Sequence, residues 1–164
     1  MQFASSPPEQ FTQHHRLTAP IAARPISLDD ITCPIISEQV WGPTVAFHYS
    51  GHTLYAPDDC RIDVIPERGY EVRLRTLYGL KLFITLSLQP LHLMGEKCER
   101  LCRPGDTLVQ GAPIMRIQPQ WLKQKGIELN GALALMNGHQ VKGLTLSTNK
   151  QWVANEDEIM GIYL

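Results

Sequence analysis

YEVRLRTLYGLKLFITLSL, residues Tyr70–Leu88, is the stretch that decides the fold. Tyr70 to Arg75 alternates apolar and polar side chains, the period-2 mark of a half-buried strand. Leu80, Leu82, Ile84, Leu86 and Leu88 then alternate with Lys81, Phe83, Thr85 and Ser87. Leu77-Tyr78-Gly79 reads as the loop between them, with glycine supplying a left-handed position. That register sets Leu74 opposite Leu82, Val72 opposite Ile84 and Tyr70 opposite Leu86. One face is then wholly apolar. Glu71, Arg73, Phe83 and Thr85 share the other, more open face, and Thr85 falls near the end of its strand. A β-branched residue suits a strand there, so Thr85 by itself signals no chemistry.

Working outward, turn signals recur at short intervals: Ser50-Gly51, Asp58-Asp59, Arg68-Gly69, Pro104-Gly105, Gln110-Gly111, Asn130-Gly131 and Asn137-Gly138. Twelve glycines and twelve prolines leave little room for long helices. Short Val-, Ile-, Leu-, Tyr- and Thr-rich segments with this punctuation predict an all-β sandwich or barrel. One short helix is expected around Pro119–Lys125. Residues 1–15, rich in Ser, Pro and Gln, read as a flexible tail, and 16–164 as a single β domain.

At 164 residues the chain can bury a core without a metal or disulfides. A net charge of −1 gives no electrostatic reason to expect nucleic acid or an anionic membrane as partner. No apolar run approaches the roughly 20 residues of a membrane span. MQFASSPPEQFTQHH lacks the basic head and apolar middle of a secretory signal, so a cytoplasmic protein is expected. Cys33, Cys60, Cys98 and Cys102 match neither CxxC pairs nor zinc knuckles and read as unpaired thiols.

No persuasive catalytic set emerges from the residues alone. His48 and His52, in HYSGH, read as solvated turn histidines, since a zinc site wants three or four ligands. His14 and His15 are expected to face solvent. His92, in PLHL, follows a proline beside the open face and could in principle serve as base or phosphoryl acceptor. Asp29-Asp30 and Asp58-Asp59 suit turns, where the carboxylate caps nearby amides. Phosphate-binding glycine loops, a GxSxG elbow and HExxH are all absent. No cofactor and no metal are expected.

The order of motifs adds a resemblance. Ala19-Pro20-Ile21, Asp29 onward with Ile35-Ile36, SGHTLYAPDDCRI, GLKLFIT, LMGE and RPGDTLVQGAPIMRI together resemble the glucose-type enzyme IIA (EIIA) domain of the bacterial phosphoenolpyruvate-dependent sugar phosphotransferase system. The likeness covers roughly residues 16 to 164. It implies a compact antiparallel β sandwich with little helix. It also implies an acceptor histidine that takes a phosphoryl group from the carrier HPr and passes it to a IIB domain, steadied by a companion histidine. The matching positions here are Thr85 and Tyr70, so no catalytic residue is expected at either. Bringing both positions together would need a bulge or bend near the strand ends.

The apolar ring that docks partners in the family matches Ile35, Ile36, Val40, Trp41, Phe83 and Leu91. Pro66 and Arg73 stand where the family favours aromatics. Cys33 and Gln89 replace acidic positions that meet HPr, which argues against binding of HPr or IIB. The family's zinc site, built on both histidines, cannot form in its usual way. Met1–Gln13 has no Lys or Arg, unlike the basic amphipathic segment some members carry.

These features imply a regulatory protein-binding module of the family, without phosphoryl transfer, that contacts its partner through the face around Thr85. The alternative is a working phosphocarrier in sugar transport with a displaced acceptor, His92 before His48. A third class, a metal-dependent hydrolase, would require stoichiometric bound zinc.

Overall fold

The computed structural model describes residues 2–89 and 92–164. The strands are β1 (His14–Thr18), β2 (Ala23–Ile26), β3 (Thr44–Tyr49), β4 (Thr53–Tyr55), β5 (Cys60–Val64), β6 (Glu71–Thr76), β7 (Lys81–Thr85), β8 (Cys98–Arg100), β9 (Thr107–Leu108), β10 (Pro113–Ile117), β11 (Asn130–Leu135), β12 (Gly143–Leu146) and β13 (Glu158–Tyr163). Two short helices, α1 (Pro34–Ser37) and α2 (Pro119–Gln124), interrupt them. Proline begins each helix, where its missing N–H costs no hydrogen bond. The main sheet runs β2-β3-β11-β7-β6-β5-β9, and two three-stranded sheets run β1-β13-β12 and β4-β10-β8. Every strand pair is antiparallel. The all-β expectation is therefore met, as is the helix near Pro119.

The hairpin β6–β7 has the register read from its alternation: Leu74 pairs with Leu82, Val72 with Ile84 and Glu71 with Thr85. Gly79 has φ of 91°, the left-handed loop position. Val72, Leu74, Leu82 and Ile84 are fully buried in the large core, with Phe47, Tyr49, Leu17 and Ile162 from other strands. Each such side chain contributes about 1.5–3 kcal/mol when removed from water.

The other face of the hairpin is not open. Phe83 packs with Ile31, Ile36, Ala46, Ala132 and Ala134 in a second, smaller apolar cluster. Segment 27–41 covers it, which corrects the expectation of an exposed face at Thr85. His48 is also corrected: it belongs to β3, not to a turn, and its Nδ1 lies 2.9 Å from Asn130 Oδ1.

The first strand starts inside the segment read as tail, since β1 includes His14 and His15. Further up the chain, the Ala4 N–H donates to Leu144 C=O at 2.8 Å, and the Thr12 N–H to Leu164 C=O at 2.6 Å. All four cysteines are free thiols. Among the described residues no helix is long and apolar enough to cross a membrane.

Candidate functional site

The site is built where β6 begins and β7 ends. Gly69 and Tyr70 both have φ of 62°, a sharp left-handed turn into β6. Gly69 is required twice over, because a Cβ there would lie 2.6 Å from Cys98 Sγ. Tyr70 has no such freedom, and its backbone costs about 1–2 kcal/mol. Its contacts offset that cost. The ring is buried in the large core, the hydroxyl donates to Glu96 C=O, and the N–H donates to Cys98 Sγ at 3.4 Å. Burial pushes the phenol well above its usual range, with Cys98 and Glu96 adding to the effect. Tyr70 is therefore no base at neutral pH.

Thr85 is only 3% exposed. Its hydroxyl donates to Ser87 C=O at 2.6 Å and accepts from the Ser87 N–H at 3.3 Å. The same oxygen lies 3.4 Å from Tyr70 C=O. A hydroxyl bonding the backbone two residues on is a local brace that ends the strand. On the opposite side, the Tyr49 hydroxyl donates to Leu86 C=O at 2.6 Å, fixing the next residue. Tyr70 and Thr85 thus meet through a hydroxyl and a main-chain carbonyl, with their side chains on different faces. The β6–β7 ladder carries no register shift. The bend expected there comes from the two left-handed residues instead of a bulge.

A cleft of about 190 Å³ opens above Thr85. Trp41 stacks on Phe83 at 5.3 Å, and the Arg73 guanidinium lies 4.8 Å over the Trp41 ring. Arg68 pairs with Glu71 at 2.6 Å on the rim. The lid is assembled from local capping. Ser27 Oγ accepts the Asp29 N–H to start a single 3-10 turn, and Gly42, at φ of 122°, passes so close that a Cβ would sit 2.2 Å from Leu135 O. The structure divides the residues expected to form a docking ring. Ile35 and Val40 are exposed at 49% and 67%, Trp41 is half-buried, and Ile36 and Phe83 are buried beneath them. Leu91 lies outside the described residues.

His92 is exposed and borders a neighbouring cleft of about 330 Å³ that shares Ser87 and Leu88 with the first. The two clefts lie side by side. Glu128 and Asn130 line the second, where the Asn130 amide donates to Glu128 Oε2 at 3.1 Å. Among the described residues no group of three or more His, Cys, Asp or Glu is gathered that could hold a metal ion. Sequence reasoning set Glu71 on the Thr85 face, marked Arg68-Gly69 as a turn and read Cys98 as an unpaired thiol, but assigned none of the three to the site.

Residues 15–141 match the family model described as phosphoenolpyruvate-dependent sugar phosphotransferase system, EIIA 1. The chain belongs to this EIIA family. Among curated relatives, it is 25% identical over 131 residues to the glucose-specific EIIA component of Borreliella burgdorferi, covering 80% of this chain and 69% of that one. It is 18% identical over 147 residues to the Staphylococcus epidermidis glucose-specific EIIA component, covering 90% and 89%. It is 24% identical over 124 residues to the glucose-specific EIIBCA component of Corynebacterium glutamicum, covering 76% of this chain but only 18% of that longer protein. The glucose permease IIA of Mycoplasma capricolum superposes with a TM-score of 0.80 at 14% identity, over 92% of this chain and 96% of that one. That likeness establishes the EIIA-type β sandwich.

Proposed function

We propose that this EIIA-family chain works by docking a protein on the Thr85 face and carries no phosphoryl group there. One observation supports this most strongly. The hydroxyl at the position matching the family's acceptor histidine is buried, and its proton is committed to Ser87 C=O. A phosphoryl acceptor needs a free nucleophilic lone pair exposed to the donor, with a base to activate a hydroxyl. Thr85 has neither, and Tyr70, at the companion position, is turned into the core. The regulatory reading rests on what remains: the exposed Ile35 and Val40, and the Arg73–Trp41–Phe83 stack that lines the same cleft as Thr85. Contact through the family's acidic positions is not available to HPr or IIB, because Cys33 and Gln89 are uncharged.

The test is transfer from phosphoenolpyruvate through enzyme I and HPr, read by intact mass beside a functional EIIA. This reading requires no added phosphoryl group on the chain while the control is labelled. An acid-labile, alkali-stable gain would overturn it.

A second reading has its own support. The relatives are named as components of glucose-specific systems, and His92 is an exposed imidazole one cleft away from Thr85. In this reading the chain is a working phosphocarrier in sugar transport with His92 as displaced acceptor. His92→Ala would then abolish any labelling seen.

A further inference from the structure

The sheet β1-β13-β12 presents two unlike faces. Leu17, Leu144, Met160 and Ile162 point into the large core. The opposite side carries His14, Arg16, Thr145 and Tyr163 around Gly161. Gly161 sits mid-strand, paired with Arg16 on one side and Thr145 on the other. Glycine weakens a strand interior by roughly 0.5–1 kcal/mol relative to Ala, and it often marks close approach by another group. Here a Cβ would lie 2.5 Å from Thr145 Oγ1, 3.3 Å from His14 Nε2 and 3.3 Å from the Tyr163 hydroxyl oxygen. Three polar atoms from three strands therefore converge above a floor that has no side chain.

The polar atoms are held in place but not used up. Tyr163 is only 6% exposed, and its hydroxyl has no hydrogen bond among the described residues. Its ring stacks face to face on His14 at 4.4 Å, while Phe11 packs edge-on at 4.9 Å, so neither ring is free to swing away. Arg16 donates to Glu158 at 2.7 Å through one of its nitrogens, leaving the rest of its donor fork available. The rim adds the hydroxyls of Ser147 and Thr148. Glu158 supplies the carboxylate of this cleft, and Arg16 already engages it. The hydroxyls can each turn a proton toward a ligand, and with the unengaged part of the Arg16 fork they can serve an oxyanion with several acceptor oxygens. The cleft holds about 400 Å³, the size range of small-molecule sites and more than a phosphoryl group fills alone.

We infer that this cleft binds a small phosphomonoester, its phosphoryl oxygens received over Gly161 by Thr145, His14 and Tyr163, with Arg16 at the edge. The site lies on a different sheet from Thr85 and does not depend on whether the chain carries or docks a phosphorylated group.

The experiment is calorimetric titration of the full chain with glycerol 3-phosphate, inorganic phosphate and glycerol. Glycerol 3-phosphate should bind saturably, and glycerol should not. Tyr163→Phe keeps the ring stack and should weaken binding about 10-fold, the worth of one hydrogen bond to a charged group. Gly161→Ala should abolish binding by occupying the floor, and thermal melts of both variants report whether the fold is kept. If Gly161→Ala fails to fold, Tyr163→Phe decides the matter alone. Inorganic phosphate binding as tightly as the ester would uphold the phosphoryl site and make the ester body a bystander. No saturable binding of the ester at 10 mM would overturn the inference. So would equal binding of glycerol, or a Tyr163→Phe variant that binds like the unaltered chain.

Discussion

The two faces of the β6–β7 hairpin share one backbone and do different work. The inner face is a row of fully buried aliphatic side chains, Val72, Leu74, Leu82 and Ile84, whose alternation with polar residues fixed the register. The outer face carries Glu71, Arg73, Phe83 and Thr85, covered by a lid from segment 27–41. Stability lives on the first face, and the second is the one proposed above to dock a partner. The comparison teaches that burial alone does not separate them, because Thr85 and Phe83 are nearly as buried as Ile84. What separates them is chemistry: one face has only carbon, the other a committed hydroxyl, an ion pair and a cation over an aromatic ring.

The contrast can be broken most severely with alkali. Burial pushes the Tyr49 and Tyr70 phenols well up, and raises the Cys60 and Cys102 thiols to about 12 and about 11. A group whose proton is held more tightly in the folded state stabilises the fold fully below its unfolded pKa. That contribution disappears as pH rises through the folded value. The unfolded thiols titrate near about 8.5 and phenols near about 10. Thermal melts should therefore be unaffected by these groups at neutral pH, fall from about pH 9 onward, and collapse near pH 12. A melting point that holds steady to pH 11 would show that these groups are not sealed.

Ile84→Ala comes next, with an expected loss of about 2–5 kcal/mol in urea unfolding, as for other fully buried aliphatic truncations. On the outer face, Trp41→Ala should cost less, about 1–3 kcal/mol, since the ring is half-buried and covers Phe83 without entering the large core. Equal losses from the two substitutions would remove the distinction between the faces.

The hairpin was legible in the sequence because alternation, loop length and Gly79 all agree over one short stretch. The lid was not. Ile31, Ile36 and Trp41 lie more than forty residues from Thr85, and no local pattern says which strand face a remote segment will cover. His48 was read as a turn residue because Ser50-Gly51 follows it closely, although Thr44–Tyr49 is a strand paired on both sides. The left-handed backbone at Tyr70 leaves no mark in the sequence either, since any residue after Gly69 could have been extended. The motifs that resemble the EIIA family were readable in order, and the family they pointed to is the one whose model matches residues 15–141.

The central claim is that the Thr85 hydroxyl is a structural brace and not a chemical group. It is tested most directly by Thr85→Val, which keeps the β-branched shape and removes only the oxygen. Equilibrium urea unfolding should show a loss of about 1–2 kcal/mol, because the Ser87 N–H and C=O lose their buried partner. A variant as stable as the original chain, or more stable, would contradict the account and return Thr85 to the list of groups kept for reaction.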